Sequence, residues 1–348
     1  MERGHEEVEV RWKQAVTIMV GVGLLLSATS CSPPWSSSTP SPPNVPTIVG
    51  HINQTDLVPA EDLNTVVGQW DNPRAVVSHG DDIFVLDSGN NRVLQLTEAG
   101  EVVAVFCQDD GNEFLLQSPL SMALYDNKLY IANTGASQIV VLQLSGELDT
   151  SFTLDPIEEN DVAPRPSGIA LNEDGELYVA DSSNHRVLHL NQKGQLIDFI
   201  GSADGSPGND QYAFNEPLGL TLDSAGHLYV ADSQNNRVVR YSSNGRYLQE
   251  MQVITNSSNF SKFTDIVVSP EGIVYASDHN RHMVQVFSSQ GKHLGIVGLY
   301  DATRTDSFGL LTDPYGLYFQ DFYLYVIDLS GNLYVFGISP EYWQEEDS

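Results

Sequence analysis

The sequence predicts an all-β chain folded as a six-bladed propeller with four strands in each blade, and three observations lead to that reading. A heptapeptide returns almost unchanged as Asp87-Ser88-Gly89-Asn90-Asn91-Arg92-Val93, Asp181-Ser182-Ser183-Asn184-His185-Arg186-Val187 and Asp232-Ser233-Gln234-Asn235-Asn236-Arg237-Val238. The residues leading each repeat are spaced 46 to 51 apart, the period of four-stranded blades. No stretch between Ile48 and Ser339 carries the 3.6-residue apolar rhythm of a helical repeat.

Each heptapeptide ends one strand-like run (Phe84 to Leu86, Leu177 to Ala180, Leu228 to Ala231) and opens another (Val93 to Leu96, Val187 to Leu190, Val238 to Tyr241). It is therefore the turn of a β-hairpin. Upstream, a proline leads an apolar run, as in Pro166-Ser167-Gly168-Ile169-Ala170-Leu171 and Pro217-Leu218-Gly219-Leu220-Thr221-Leu222. Downstream comes a glycine turn (Gly100, Gly146, Gly194, Gly245, Gly291) and a fourth run, such as Gln195 to Ile200. The leading residues Pro73, Pro119, Pro166, Pro217 and Pro314, with Phe263-Thr264-Asp265-Ile266 in the remaining gap, make six repeats. Strands apolar on both faces, such as Leu228 and Val230 against Tyr229 and Ala231, fit blades buried between two neighbours. The sixth repeat ends with only three strands, so the run Leu63-Asn64-Thr65-Val66-Val67-Gly68-Gln69-Trp70 is expected to supply its fourth. That pairing joins the amino end to the carboxyl end and removes an exposed edge.

Within the heptapeptide, the strand-ending aspartate is expected to accept N–H groups two or three residues ahead, with Asp181 and Asn184 as turn builders and Asn in the left-handed conformation. Arg92, Arg186 and Arg237 open the third strands, where a guanidinium can bridge carbonyls or carboxylates of the neighbouring blade.

Pro-x-Gly-Ile-Ala, Leu-Tyr-Val-Ala-Asp-Ser-x-Asn-x-Arg-Val and the connector Gly205-Ser206-Pro207-Gly208-Asn209-Asp210-Gln211-Tyr212-Ala213-Phe214-Asn215-Glu216-Pro217 resemble the NHL-repeat family. Repeats three and four match closely and the first nearly so, while the others drift. The resemblance implies the propeller and leaves the function open, because this fold serves enzymes and binding modules alike. Peptidyl-amidating lyases resemble the family and hold zinc with inner-strand histidines, commonly just after the leading proline. The inner strands here begin Asn72-Pro73-Arg74, Ser118-Pro119-Leu120, Arg165-Pro166-Ser167, Glu216-Pro217-Leu218, Phe263-Thr264-Asp265 and Asp313-Pro314-Tyr315, without a histidine. His185, His189, His227, His279, His282 and His293 fall on hairpins and turns, whereas catalytic zinc needs three convergent ligands. Lactonase-like propellers hold one calcium with channel Glu, Asn and Asp; Glu216, Asp265 and Asp313 would be the counterparts, although those enzymes carry a different repeat pattern. No Gly-x-Ser-x-Gly, His-Glu-x-x-His or Cys-x-x-Cys occurs. The acidic connectors Asp109-Asp110-Gly111-Asn112-Glu113 and Glu158-Glu159-Asn160-Asp161 lack EF-hand spacing and offer at most weak calcium binding. No catalytic residue, metal ligand or cofactor is assigned.

Propeller enzymes usually place their catalytic groups at the mouth of the central channel. The candidate ligand-binding residues are Arg74, Arg165, Glu216, Asp265, Asp313 and Tyr315, on the face of the long connectors and hairpin turns.

Ahead of the repeats, Arg11 and Lys13 precede an apolar run from Ala15 to Leu26 and then Ser27-Ala28-Thr29-Ser30-Cys31. This reads as a bacterial lipoprotein-type signal peptide over residues 1–30, shorter than the roughly 20 apolar residues of a membrane span. Cys31 is the expected lipidation site. Ala28-x-Ser30 also suits ordinary signal peptidase, so plain secretion is the alternative. Residues 31–46 are a Ser/Pro-rich tether, 47–340 the propeller and 341–348 an acidic tail. With Cys31 lipidated, Cys107 has no partner for an intramolecular disulfide.

Past residue 30 the chain holds 13 basic and 42 acidic residues, a net charge of −29. Such a field repels phosphate backbones, which excludes nucleic acid as a partner. The sequence is thus read as a monomeric, extracytoplasmic module of the cell envelope that meets the membrane only through its lipid and binds a protein or an envelope glycan. The alternative is a metal-assisted hydrolase or lyase working at the channel mouth.

Overall fold

The computed structural model describes residues 47–54, 57–59, 68–107, 116–157, 162–253, 260–298, 311–339 and 341–343. The signal segment, Cys31, the tether and both acidic connectors lie outside the described residues. Six antiparallel sheets form the ring. Their inner strands are Pro73–His79, Ser121–Tyr125, Pro166–Leu171, Pro217–Leu222, Phe263–Val268 and Pro314–Gln320. Each inner strand lies against the next, and the sixth returns to the first.

The second strands Leu177–Asp181, Leu228–Asp232 and Tyr323–Asp328 are buried at every position, as runs apolar on both faces require. Alternate residues enter opposite interfaces: Tyr178 and Ala180 pack towards the fourth blade, Leu177 and Val179 towards the second. Each fully buried Val or Leu contributes about 1.5–3 kcal/mol, so the six interfaces together hold the ring. Cys107 sits inside this packing, and burial pushes its thiol up to about 12.

The glycine two residues after the leading proline has a steric reason. A Cβ on Gly168 would lie 2.2 Å from Leu218 O, one on Gly219 2.5 Å from Asp265 Cα, and one on Gly316 2.2 Å from Arg74 O. Inner strands converge on the axis, and their backbones meet where these residues have no side chain.

Closure joins the two ends of the chain, but through a different strand from the one expected. Thr47–Asn53 pairs antiparallel with Asn332–Gly337 to complete the sixth blade. Ile52 is buried between the sixth and first blades, His51 stacks on Tyr334 at 4.8 Å, and Asn53 Nδ2 donates to Asn332 Oδ1 at 2.6 Å. The fourth-strand position is thereby filled, and the run from Leu63 cannot occupy it. Residues 63–67 of that run lie outside the described residues; Gly68 to Trp70 form no strand, and Trp70 is buried as a lead-in to the first inner strand. A further short strand, Val58–Pro59, adds in parallel to the outer strand of the first blade.

Candidate functional site

The residue that ends each second strand, an aspartate in five blades and Asn133 in the second, fixes the start of the inner strand beside it. Asp87 Oδ1 accepts Asp71 N–H at 2.7 Å, Asp181 Oδ1 accepts Arg165 N–H at 3.0 Å, and Asp232 Oδ1 accepts Asn215 N–H at 2.7 Å. Asn133, Asp278 and Asp328 do the same for Gln117, Lys262 and Thr312. The other oxygen takes the motif asparagine and arginine: Asn235 Nδ2 and Arg237 Nε each lie 2.8 Å from Asp232 Oδ2. This corrects two expectations. The carboxylate serves an amide some 16 residues behind it, and among the described residues the expected bond two residues ahead is made by Asp328, which accepts Ser330 N–H. The arginine pairs within its own blade, at 2.8 Å for Arg92 on Asp87 and 3.3 Å for Arg186 on Asp181; Arg237 reaches beyond it only to the incoming connector, at Asp210 O and Ala213 O. Both groups are buried, so each needs the other close by.

Asn184 is also not the left-handed residue. It is buried with its amide on Asp181 Oδ2 and Val162 O, and the next residue, His185, takes φ 50°. The same position is held by Asn91, Ser137, Asn236 and His282. Its side chain reaches forward to the next blade: Asn91 Oδ1 accepts Ser118 N–H at 2.7 Å and His185 Nδ1 accepts Glu216 N–H at 3.0 Å, while His282 bonds the Thr312 carbonyl. Turn amides meanwhile bond the lead-in carbonyls, as Gly89 does to Asp71 O and Gln234 to Asn215 O. Hairpin turns and connectors thus share one face, stitched around the channel mouth.

Of the six candidates, Arg74 and Tyr315 meet directly, with the guanidinium 4.3 Å from the ring centroid. They come from opposite ends of the chain and are neighbours because the sixth blade closes on the first. Burial pushes the Tyr315 phenol up, Arg74 and Arg165 pull it back, and Asp265 adds to the rise, so these four share one electrostatic neighbourhood. Asp265 stands where the third, fourth and sixth blades have Gly168, Gly219 and Gly316. Its Oδ2 accepts Leu317 N–H of the sixth blade at 2.8 Å and its Oδ1 accepts Ile266 N–H at 2.9 Å. Burial outweighs these bonds and raises the carboxyl to about 7. Asp265 is therefore first a bridge between blades, a role no sequence motif announced.

Glu216 and Asp313 are not part of that cluster. Glu216 accepts Gln234 Nε2 at 3.0 Å on its own hairpin turn, and Asp313 lies 2.5 Å from His279 of the fifth blade. The exposed guanidinium of Arg165 has no ion pair among the described residues. The mouth thus presents two cations and a phenol while its carboxylates are already engaged.

The histidines stand apart. His189 pairs with Glu176, His227 with Asp223, and His293 with Gln285 Oε1. Among the described residues no three His, Cys, Asp or Glu side chains are grouped to hold a metal ion.

The NHL repeat model matches residues 164–190 and 214–241, the third and fourth blades from lead-in to third strand. NHL repeat-containing protein 2 of Bos taurus is 23% identical over 296 residues, 66% of this chain and 41% of that protein. A probable peptidyl-alpha-hydroxyglycine alpha-amidating lyase of Caenorhabditis elegans is 26% identical over 150 residues, 42% of this chain and 41% of that protein. The chain thus spans less than half the length of either relative. Among solved structures, virginiamycin B lyase from Staphylococcus aureus aligns with a TM-score of 0.56 at 12% identity, covering 80% of this chain and 83% of that one. A Bacteroides thetaiotaomicron protein of unknown function aligns at 0.60 and 13%, covering 82% and 75%. At such identities the likeness concerns the fold. Repeat motif, blade topology and ring closure agree: the chain is a six-bladed β-propeller whose third and fourth blades carry NHL repeats.

Proposed function

We propose that this propeller is a binding module of the cell envelope, held at a membrane by a lipid on Cys31, and that it takes an anionic group of a protein or envelope glycan at its channel mouth. The observation that carries the reading is the pairing of Arg74 with Tyr315 beside Arg165, in a chain of net charge −29 past its leader. Two cations held at one point of an acidic molecule select charge by contrast with their surroundings. Glu216, Asp265 and Asp313 shape the mouth and orient its loops. Titrating salt tests this: affinity for the partner recovered with the full chain should fall steadily between about 50 and 500 mM salt, as the Debye length contracts. Salt-insensitive binding would sink it.

The similarity to an amidating lyase favours a second reading, a metal-assisted hydrolase or lyase at the same mouth. One tightly held metal ion per chain in the purified protein would move the assignment there.

A further inference from the structure

Every blade sets an aromatic ring at the same point of its second strand, facing the next blade: Phe84, Tyr130, Tyr178, Tyr229, Tyr275 and Tyr325. What fills the groove beyond that ring differs from blade to blade. Phe106 and Phe152 fill the first two so closely that a Cβ on the facing Gly146 or Gly194 would lie 2.2 Å from their rings. In the fourth, Arg240 covers Tyr229 at 5.3 Å and its Nη1 donates to Ser289 O at 2.8 Å. In the sixth, Ile52 of the closing strand would lie 3.1 Å from a Cβ on Gly100.

The fifth groove is instructive. Its outer strand puts Val297, where the first blade has Phe106, and Leu294 against the core, and the remaining space is taken by Trp343, which the sequence had placed in the acidic tail. The indole Nε1 donates to Tyr275 Oη at 3.0 Å, and the ring lies 2.6 Å from where a Cβ of Gly295 would be. An aromatic side chain carried in by an extra segment completes this interface.

The third groove has the same deficit without the filler. Ile200 replaces the phenylalanine, the nearest atom to a Cβ on Gly245 is 3.9 Å away, and a cavity of about 240 Å³ remains, lined by Tyr178, His189, Ile197, Asp198, Ile200 and Gly245. Ile197 is 50% exposed. Tyr178 is stacked on His189 at 4.4 Å, His189 is tied to Glu176 at 2.9 Å, and the Tyr178 hydroxyl makes no hydrogen bond to the described residues. The wall is rigid, aromatic and has a free acceptor where Tyr275 receives Trp343.

We propose that this groove between the third and fourth blades docks a partner peptide that inserts one aromatic side chain flanked by basic residues. The basic flank follows from Asp198. It stands opposite His189 as Gly295 stands opposite Val286, so the insert cannot lie over the outer strand as Trp343 does and enters past Gly245, on the face of the short glycine turns. There the Asp198 carboxylate, bonded among the described residues only to Phe199 N–H, meets it. A second copy's Trp343 is disfavoured, since Glu341, Glu345 and Glu346 accompany it and would face Asp198.

The test titrates the full chain with a labelled pentapeptide carrying tryptophan between two lysines, followed by fluorescence polarisation. Ile200→Phe, which copies Phe106 and Phe152, should weaken binding at least tenfold while the melting temperature holds or rises. Asp198→Lys should weaken it severalfold, and Arg74→Glu with Arg165→Glu should leave it unchanged, which separates this groove from the channel mouth. Equal binding by Ile200→Phe, equal binding of a peptide with alanine for tryptophan, or equal binding of one with glutamates for lysines would each overturn the proposal.

Discussion

Asp232 shows what a single repeat residue does. Its buried carboxylate holds Asn215 N–H, Asn235 and Arg237 at once, joining a lead-in, a turn and a third strand. Asp232→Ala removes the buried carboxylate from Arg237 and leaves it only the half-exposed Glu250 at 2.9 Å, and breaking such a buried pair costs about 3–5 kcal/mol. Urea unfolding should show that loss; a shift below about 1 kcal/mol, the range of ordinary surface changes, would contradict the role. Asp265 gives a pH signature of opposite sign. Its folded value of about 7 lies above its ordinary 3.8, so the folded state binds the proton more tightly. Its stabilising contribution is full below about pH 4 and is lost as pH rises through 7. The melting temperature of Asp265→Asn relative to the parent should therefore climb between pH 5 and pH 8.5. A constant difference would mean that the carboxyl is not so perturbed.

At the scale of strands, blades one to six were legible because a period near 48 residues with turn chemistry at fixed offsets admits few architectures. Five of the six inner strands begin at the expected leading residue, while in the second blade the strand starts at Ser121, two residues past Pro119. The closing strand was not legible. Thr47 to Asn53 and Leu63 to Trp70 are both short runs rich in β-branched and apolar residues, and the choice is made by a partner some 280 residues away, through His51 and Asn53 on Asn332. Deleting residues 47–53 should lower the melting temperature sharply and expose the edge of Asn332–Gly337 to aggregation. An unchanged melting temperature would show that this strand does not hold the ring. The candidate site was legible in part: the ring order that makes Arg74 and Tyr315 neighbours follows from counting blades, but Asp265 bonding a backbone amide of the next blade, and the ties that hold Glu216 and Asp313 at the turns, depend on side-chain directions that no motif encodes.

For the whole molecule, the proposed anchoring and the proposed recognition are separable. Cys31→Ser should release the protein from the membrane fraction, because a lipid needs that thiol; retention as firm as the parent's would point to an uncleaved helix. The ring itself is rigid, with inner strands in backbone contact at Gly168, Gly219 and Gly316, so its mouth can change charge without changing shape. Arg74→Glu combined with Arg165→Glu is the most direct trial of the proposed binding site, with affinity for the recovered partner and melting temperature measured on the same preparation. The account predicts at least a tenfold loss of affinity with the melting temperature held within a few degrees; undiminished affinity in a folded double variant would contradict it.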